Sequence, residues 1–333
     1  MSCAQMVLEV VGLRAEFAGA GAATTVVNDV DLVLHQAERL GIVGESGSGK
    51  TALALSILGL LDPPGRVTGG RVELGDVALS ELDDRSLARV RGSRISYIHQ
   101  DPLTALNPVR KVGRQIRDVL DRHTGLTREE KRRRIRDLLL ELGFSDPVGI
   151  ESRYPHELSG GMRQRIAIAM AVVARPDVIV ADEPTTALDV RTQAEVLAML
   201  DRVAEHHRTA TVLISHNIDV VGSFCDTIAV MYAGRIVESG PAAEVISAPR
   251  HPYTRALLDA VPSLTTDRSQ PLREIGSALR SEDRTAAGCT FRARCPVGRD
   301  RPDCREHRPH LDGGSHAWAC HHPLSILAER TAR

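Results

Sequence analysis

Short apolar runs recur through the first three quarters of the chain, separated by polar or glycine-rich turns. Met6–Val11, Val26–Leu34 and Arg39–Val43 read as strands, the last two joined by a turn at Gln36–Glu38. Thr51–Leu61 reads as a helix that follows a glycine-rich loop directly. Further strands are expected at Arg71–Leu74, Ile95–His99, Val178–Asp182, Thr211–Ser215 and Thr227–Tyr232. Thr192–His206 carries Ala194, Leu197, Leu200 and Val203 or Ala204 at helical spacing. Strands alternating with helices over residues 6–245 predict an α/β fold.

Two stretches break this rhythm. Asp101 to about Leu158 has helical runs and many charges but no convincing strand; between Arg110 and Arg136 basic residues outnumber acidic ones. A solvated helical face accounts for that excess, and a docking surface for another subunit is the competing explanation. From Glu244 the chain begins with two helical runs and then becomes loop-rich, with Pro, Gly, His and Cys.

Composition narrows the partners. The 333 residues suit two domains of roughly 100–200 residues each. Basic and acidic side chains number 42 and 43, so nothing in the net charge favours nucleic acid. No apolar run approaches the ~20 residues of a spanning helix, and Met1–Val11 lacks a cationic segment followed by an apolar one. The expectation is a cytosolic chain, where six cysteines argue against disulfides. Four of the six fall between 289 and 320; Cys3 and Cys225 read as ordinary residues.

The strongest chemical signal is Gly44-Glu45-Ser46-Gly47-Ser48-Gly49-Lys50-Thr51, which matches G-x4-G-K-[ST] between a strand and a helix. Such a loop curls backbone N–H groups around phosphates, Lys50 adds a point charge, and the Thr51 hydroxyl can ligate Mg²⁺. Val178–Ala181 runs into two carboxylates. Asp182 is placed to hold Mg²⁺ through water, and Glu183 to polarise an attacking water.

Leu158-Ser159-Gly160-Gly161-Met162-Arg163-Gln164 narrows this phosphate-loop NTPase further, because it resembles the signature of the ABC ATPases. The accompanying family elements stand in order: Gln100 as the Q-loop, Ala187-Leu188-Asp189 as the D-loop, His216 as the switch histidine. The resemblance covers residues 6–245. It implies a mixed-sheet core with a helical subdomain at about 101–160, and two ATP molecules sandwiched between two such domains. It further implies that Ser159, Gly160 and Gly161 face the γ-phosphate held by the second subunit. His216 and Gln100 would then act beside Glu183, with Gln100 touching Mg²⁺. The family places an aromatic ring about twenty residues before the loop, but Thr24 stands there; either Phe17 folds over the base or stacking is lost.

Gln100-Asp-Pro-Leu-Thr-Ala-Leu-Asn-Pro108, Met231–Gly240 and His251-Pro-Tyr-Thr-Arg-Ala-Leu-Leu258 resemble the oligopeptide/dipeptide importer ATPases. That group implies import of dipeptides or oligopeptides, from the cytoplasmic face of the membrane, through two separate permease subunits. A second, related but distinct ATPase and an extracytoplasmic binding protein complete the complex. Nickel, glutathione or antimicrobial-peptide cargo stays open. A soluble ABC ATPase acting on nucleic acid or ribosomes is the other class, but its duplicated domains or long insertions are absent here.

Cys289-x5-Cys295-x8-Cys304-x15-Cys320, in a C-terminal extension over residues 246–333, resembles the cysteine motif of the same group, which implies a 4Fe–4S cluster. Four thiols in a loop-rich segment need a metal to order it. Zinc is the alternative, with His307, His310, His316, His321 or His322 able to replace a thiol. A close C-x2–4-C pair is missing for zinc, and the spacing also misses the ferredoxin patterns. The expected role is a staple holding the tail against a partner subunit. Thr24→Tyr is expected to tighten ATP binding in an equilibrium titration; unchanged affinity would mean that another group already covers the base.

Overall fold

The alternation in the first 35 residues becomes two long strands in the computed structural model, which describes residues 5–19, 23–185, 189–261, 275, 279 and 281–324. These are β1 (Met6–Phe17) and β2 (Thr24–His35), followed by β3 (Arg39–Val43), in which Leu40 to Val43 are all buried. The glycine-rich loop then opens α1 (Lys50–Ile57). Next come β4 (Gly65–Leu74), β5 (Val77–Ala78), α2 (Asp84–Val90) and β6 (Ile95–Ile98). The charged middle is helical, with α3 (Pro102–Ala105), α4 (Val112–His123), α5 (Arg128–Glu141), α6 (Pro147–Glu151) and α7 (Gly160–Val172). The alternation resumes with β7 (Val178–Asp182), α8 (Val190–His207), β8 (Ala210–Ser215), α9 (Ile218–Phe224) and β9 (Thr227–Tyr232). The chain continues through β10 (Arg235–Pro241), α10 (Ala242–Ser247), α11 (Pro252–Asp259), α12 (Ser281–Thr285), α13 (Pro302–Glu306) and β11 (Ala317–Trp318). Among the described residues, no helix is long and apolar enough to cross a membrane.

Backbone packing divides the chain into two compact units. The first comprises Met1–Leu8, Leu34–Glu38 and Leu74–Leu213. There β6 and β7 pair in parallel, with Ile95 opposite Val178 and Ile98 opposite Ala181. Its core is built from helix faces: Ile116 and Leu120 of α4, Ile135 and Leu139 of α5, and Ile166 and Ile168 of α7 are all buried. A capping box fixes the start of α5, where Glu130 accepts from the Thr127 backbone N–H at 2.7 Å.

The second unit comprises Glu9–Val33, Arg39–Glu73 and Ile214–Arg333. Strands β3 and β9 are parallel, β9 and β10 antiparallel, and β10 and β11 antiparallel with Glu238 opposite Trp318. Both orientations in one run make a mixed sheet. Two differences from the sequence pattern have physical causes. The first seven residues of β4 are half or fully exposed, so that strand gives no apolar signal before Val72. Strand β10 carries a fully buried carboxylate, Glu238, which hides its apolar character. That carboxylate accepts from the backbone N–H of Arg250 at 2.7 Å and of His251 at 2.9 Å, and His316 Nε2 lies 2.7 Å away.

His251 begins α11 as its cap: the imidazole Nδ1 accepts from the Tyr253 backbone N–H at 3.1 Å. Burial pushes this imidazole down to about 3, which keeps Nδ1 free to accept. The folded value lies below the unfolded one, so below about pH 6.5 the unfolded chain binds the extra proton and stability falls with acidification. His251→Asn keeps a capping acceptor and removes that titration. Between pH 7 and pH 5 the wild type should therefore lose about 2 kcal/mol more than the variant in denaturant unfolding. Equal losses would show that His251 does not set the acid sensitivity.

Candidate functional site

Residues 44–49 carry the chain from β3 into α1, and glycine is required at both ends. A Cβ on Gly44 would lie 2.2 Å from the Met231 carbonyl oxygen. Gly49 has φ of +111°, and a Cβ there would come within 2.4 Å of the Val26 carbonyl. The turn is closed by Ser48 N–H donating to Glu45 O at 3.1 Å, and tied to the chain after β9 by Gly234 N–H donating to Ser48 O at 2.7 Å. Lys50 is 6% exposed, and its ammonium donates to Gly44 O at 2.8 Å and Glu45 O at 3.0 Å. Ser46, Gly47 and Thr51 are exposed. The result is a glycine-rich turn at a helix start with a cation held against its carbonyls, an arrangement that suits a polyphosphate.

This loop is braced from behind by the C-terminal third of the chain. Glu45 N–H donates to the Tyr253 hydroxyl at 2.9 Å. Tyr253, Tyr232 and Phe291 pack ring on ring, with centroids 4.6 to 5.3 Å apart. The Arg294 guanidinium forks onto the Glu45 carboxylate at 2.7 and 2.8 Å. Sequence reasoning missed Tyr253 and Arg294 as supports of the loop. Tyr253 had a signal in the His251–Leu258 stretch; Arg294 had none. The Phe17 ring packs on the Gly65 turn, where a Cβ would lie 2.8 Å from its Cε1. Thr24 is exposed at the start of β2.

In the first unit, Asp182 ends β7 and is 2% exposed. The Tyr97 hydroxyl on β6 donates to its Oδ2 at 2.8 Å. Burial, then the Asp182 charge, raise the Tyr97 hydroxyl above its ordinary value, so it stays a donor. Glu183 sits in the left-handed region at φ of +45°, a strained conformation that costs a non-glycine residue about 1–3 kcal/mol. Gln100 Nε2 donates to Glu183 Oε2 at 3.4 Å. Gln100, Asp182 and Glu183 thus come together with Tyr97, which sequence reasoning left unmarked as one apolar-strand residue among others.

Ser159 caps α7, accepting from Met162 N–H at 3.4 Å, and Ser159 and Gly160 are exposed at that helix start. A Cβ on Gly161 would come 3.1 Å from Thr192 Cγ2. Asp189 caps α8 through the Thr192 N–H at 3.0 Å and hydroxyl at 2.7 Å, bonds that hold its carboxyl below the usual range. Ala187 and Leu188 lie outside the described residues. His216 is exposed directly after β8.

The four tail thiols, Cys289, Cys295, Cys304 and Cys320, line one pocket in the second unit together with Phe291, Val297, Arg292, His251, His321 and His322. Cys289 N–H donates to Cys304 O at 2.9 Å, and Gly298 N–H donates to Cys295 Sγ at 3.2 Å. A Cβ on Gly298 would come 2.9 Å from Cys304 Sγ, so the chain there is cut to fit sulfur. Burial, with neighbouring thiols adding, pushes Cys289 up to about 11 and Cys320 up to about 12. The histidines have other engagements: His316 with Glu238, His321 Nε2 2.9 Å from His307 O, and His322 Nε2 2.6 Å from Asp303. Asp303, Cys304 and His322 nonetheless offer three atoms within 4.8 Å of one another. Cys225 is buried against Asp226, and burial raises its thiol; Cys3 lies outside the described residues.

Comparison with known proteins fits this geometry. Residues 27–186 match the ABC transporter family, and residues 237–304 match the oligopeptide/dipeptide transporter C-terminal region. The dipeptide transport ATP-binding protein DppD of Escherichia coli is 40% identical over 97% of this chain and 99% of its own length. The oligopeptide transport ATP-binding protein OppD of Salmonella typhimurium is 42% identical over 88% of this chain and 87% of its own. The dimeric, post-hydrolysis structure of the ATP-binding cassette MJ0796 with ADP and phosphate superposes with a TM-score of 0.63. It is 26% identical and covers 71% of this chain and 98% of that one.

Proposed function

This chain belongs to the ABC transporter family, in its oligopeptide/dipeptide group, and from that membership we propose that it hydrolyses ATP to drive import of dipeptides or oligopeptides. It would act on the cytoplasmic face of a membrane, with two separate permease subunits, a related but distinct second ATPase and an extracytoplasmic binding protein. One observation carries the reading: the likeness to dipeptide and oligopeptide ATP-binding proteins spans the ATPase core and the tail together.

The chain's own groups divide the work. Lys50 and the loop amides of residues 44–51, other than the Glu45 and Ser48 N–H groups already bonded within the protein, bind the triphosphate. Thr51 and Asp182 are the groups that would hold Mg²⁺, which supplies positive charge to the phosphate oxygens, and Tyr97 keeps the Asp182 carboxylate oriented. Glu183 takes the proton of the attacking water, with Gln100 fixing its carboxylate. The exposed start of α7 at Ser159–Gly161, with Asp189 and His216, would meet the γ-phosphate on the second ATPase, as the family pattern implies.

Residues 246–333 form an extension in which Cys289, Cys295, Cys304 and Cys320 suit a four-thiolate group. A 4Fe–4S cluster would order the loops structurally, with zinc as the competing occupant. Anaerobically purified protein should then carry about four iron atoms per chain and absorb in the visible; one zinc and no iron would assign the thiols to zinc. Glu183→Gln should keep ATP binding while lowering hydrolysis at least ~100-fold and abolishing peptide uptake in the assembled transporter. Retained hydrolysis would place the base elsewhere.

A further inference from the structure

The tail cysteines stand beside an arginine that the transport reading leaves without a role. Arg294 immediately precedes Cys295, and its side chain is 3% exposed. Both ends of its guanidinium are used: Nη1 and Nη2 fork onto Glu45 at 2.7 and 2.8 Å. Nε donates to Ile275 O at 3.1 Å, and Nη1 lies 3.4 Å from the Tyr232 hydroxyl. The guanidinium carbon sits 5.7 Å from the Tyr232 ring centroid and 5.9 Å from that of Phe291. A second arginine of the extension reaches the same loop. Arg284 donates to Thr25 O and Val26 O at 3.4 Å each, and to the Gly47 carbonyl.

Glu45 fills the first x of the G-x4-G-K-[ST] pattern, and a carboxylate is a poor neighbour for a polyanion. At the effective dielectric of a protein surface, a like charge a few ångströms from a phosphate is strongly repulsive. We infer that Arg294 is a positioning residue of the ATP site: it neutralises and immobilises Glu45, so that the loop offers the triphosphate only amides and the Lys50 charge. Arg284 joins the loop at Gly47 to the start of β2 from the same extension. The inference rests on reading Gly44–Thr51 as the ATP site. It turns the cysteine-bearing extension inward, onto the nucleotide machinery of its own chain, where sequence alone suggested a staple to a partner.

The test is a charge cycle on the full chain, read by equilibrium competition of Mg-ATP and of adenosine against a fluorescent ATP analogue. Arg294→Gln should raise the ATP Kd about tenfold, because Glu45 is then an unpaired charge beside the phosphates. Adenosine, which carries no phosphate, should bind as before, and KM for ATP should rise while kcat at saturation holds. Arg294→Lys keeps the charge without the fork and should lose less than about threefold. The double variant Glu45→Gln/Arg294→Gln removes both charges and should return to within about twofold of wild type. A wild-type ATP Kd in Arg294→Gln would overturn the inference. Equal weakening of adenosine, or a double variant as weak as the single, would also overturn it, since either points to lost folding rather than unpaired charge. Failure of the wild-type chain to bind ATP would instead strike at the ATP reading itself.

Discussion

A phosphate-binding loop works by presenting bare backbone N–H groups, and bare backbone has nothing of its own to hold its shape. Glycine makes the curl possible and also makes it soft. The rigidity must therefore come from outside the loop, and here it is supplied by contacts at nearly every step. Lys50 pins the carbonyls of Gly44 and Glu45. Gly234 holds Ser48 O, and Tyr253 takes the Glu45 N–H. Arg294 fixes the Glu45 carboxylate. Two of these four supports lie beyond residue 250, so the loop depends on chain that a motif search of the ATPase core would discard.

The same region shows how buried polar groups are handled. Glu238 is fully buried in β10, which would be prohibitive for a lone carboxylate. Two backbone donors and His316 satisfy it, and those partners come from the α11 entry and from just before β11. Ala319 N–H donates to Val237 O at 2.8 Å beside it. One carboxylate thus ties the α11 cap, the last strand and the sheet together. The His251 cap is part of the same knot, since its backbone N–H donates to Glu238 while its ring Nδ1 accepts from the Tyr253 N–H.

Much of this was legible in the sequence where the signal is local. Strands β3, β7, β8 and β9 read as buried apolar runs; the loop stood out by its glycine spacing, Asp182 and Glu183 by ending an apolar strand, and Ser159 by resemblance to the family signature. What was not legible is long-range or disguised. Strand β10 hid behind Glu238, and most of β4 behind its exposed side chains. Tyr97 looked like one more strand residue until its hydroxyl was found on Asp182, 85 positions away. Arg294 is 249 residues from Glu45 and one of many arginines, so no local pattern could single it out. The chain has nine Phe, Trp and Tyr residues in all. Three of the nine stand behind the loop, packed on one another, rather than over a base.

The cysteine quartet follows a different logic from the rest of the core. An ordinary buried cysteine, such as Cys225, sits singly and acts as a small hydrophobe. Four thiols lining one pocket, two of them pushed up to about 11 and 12, are poor metal ligands while they hold their protons. The cationic centre proposed for them would take the thiols as thiolates in place of protons. Gly298 is consistent with that demand, since any larger residue would crowd Cys304 Sγ. The extension that positions Arg294 also packs Phe291 against Tyr232 and Tyr253, and its four thiols line a single pocket beside that cluster.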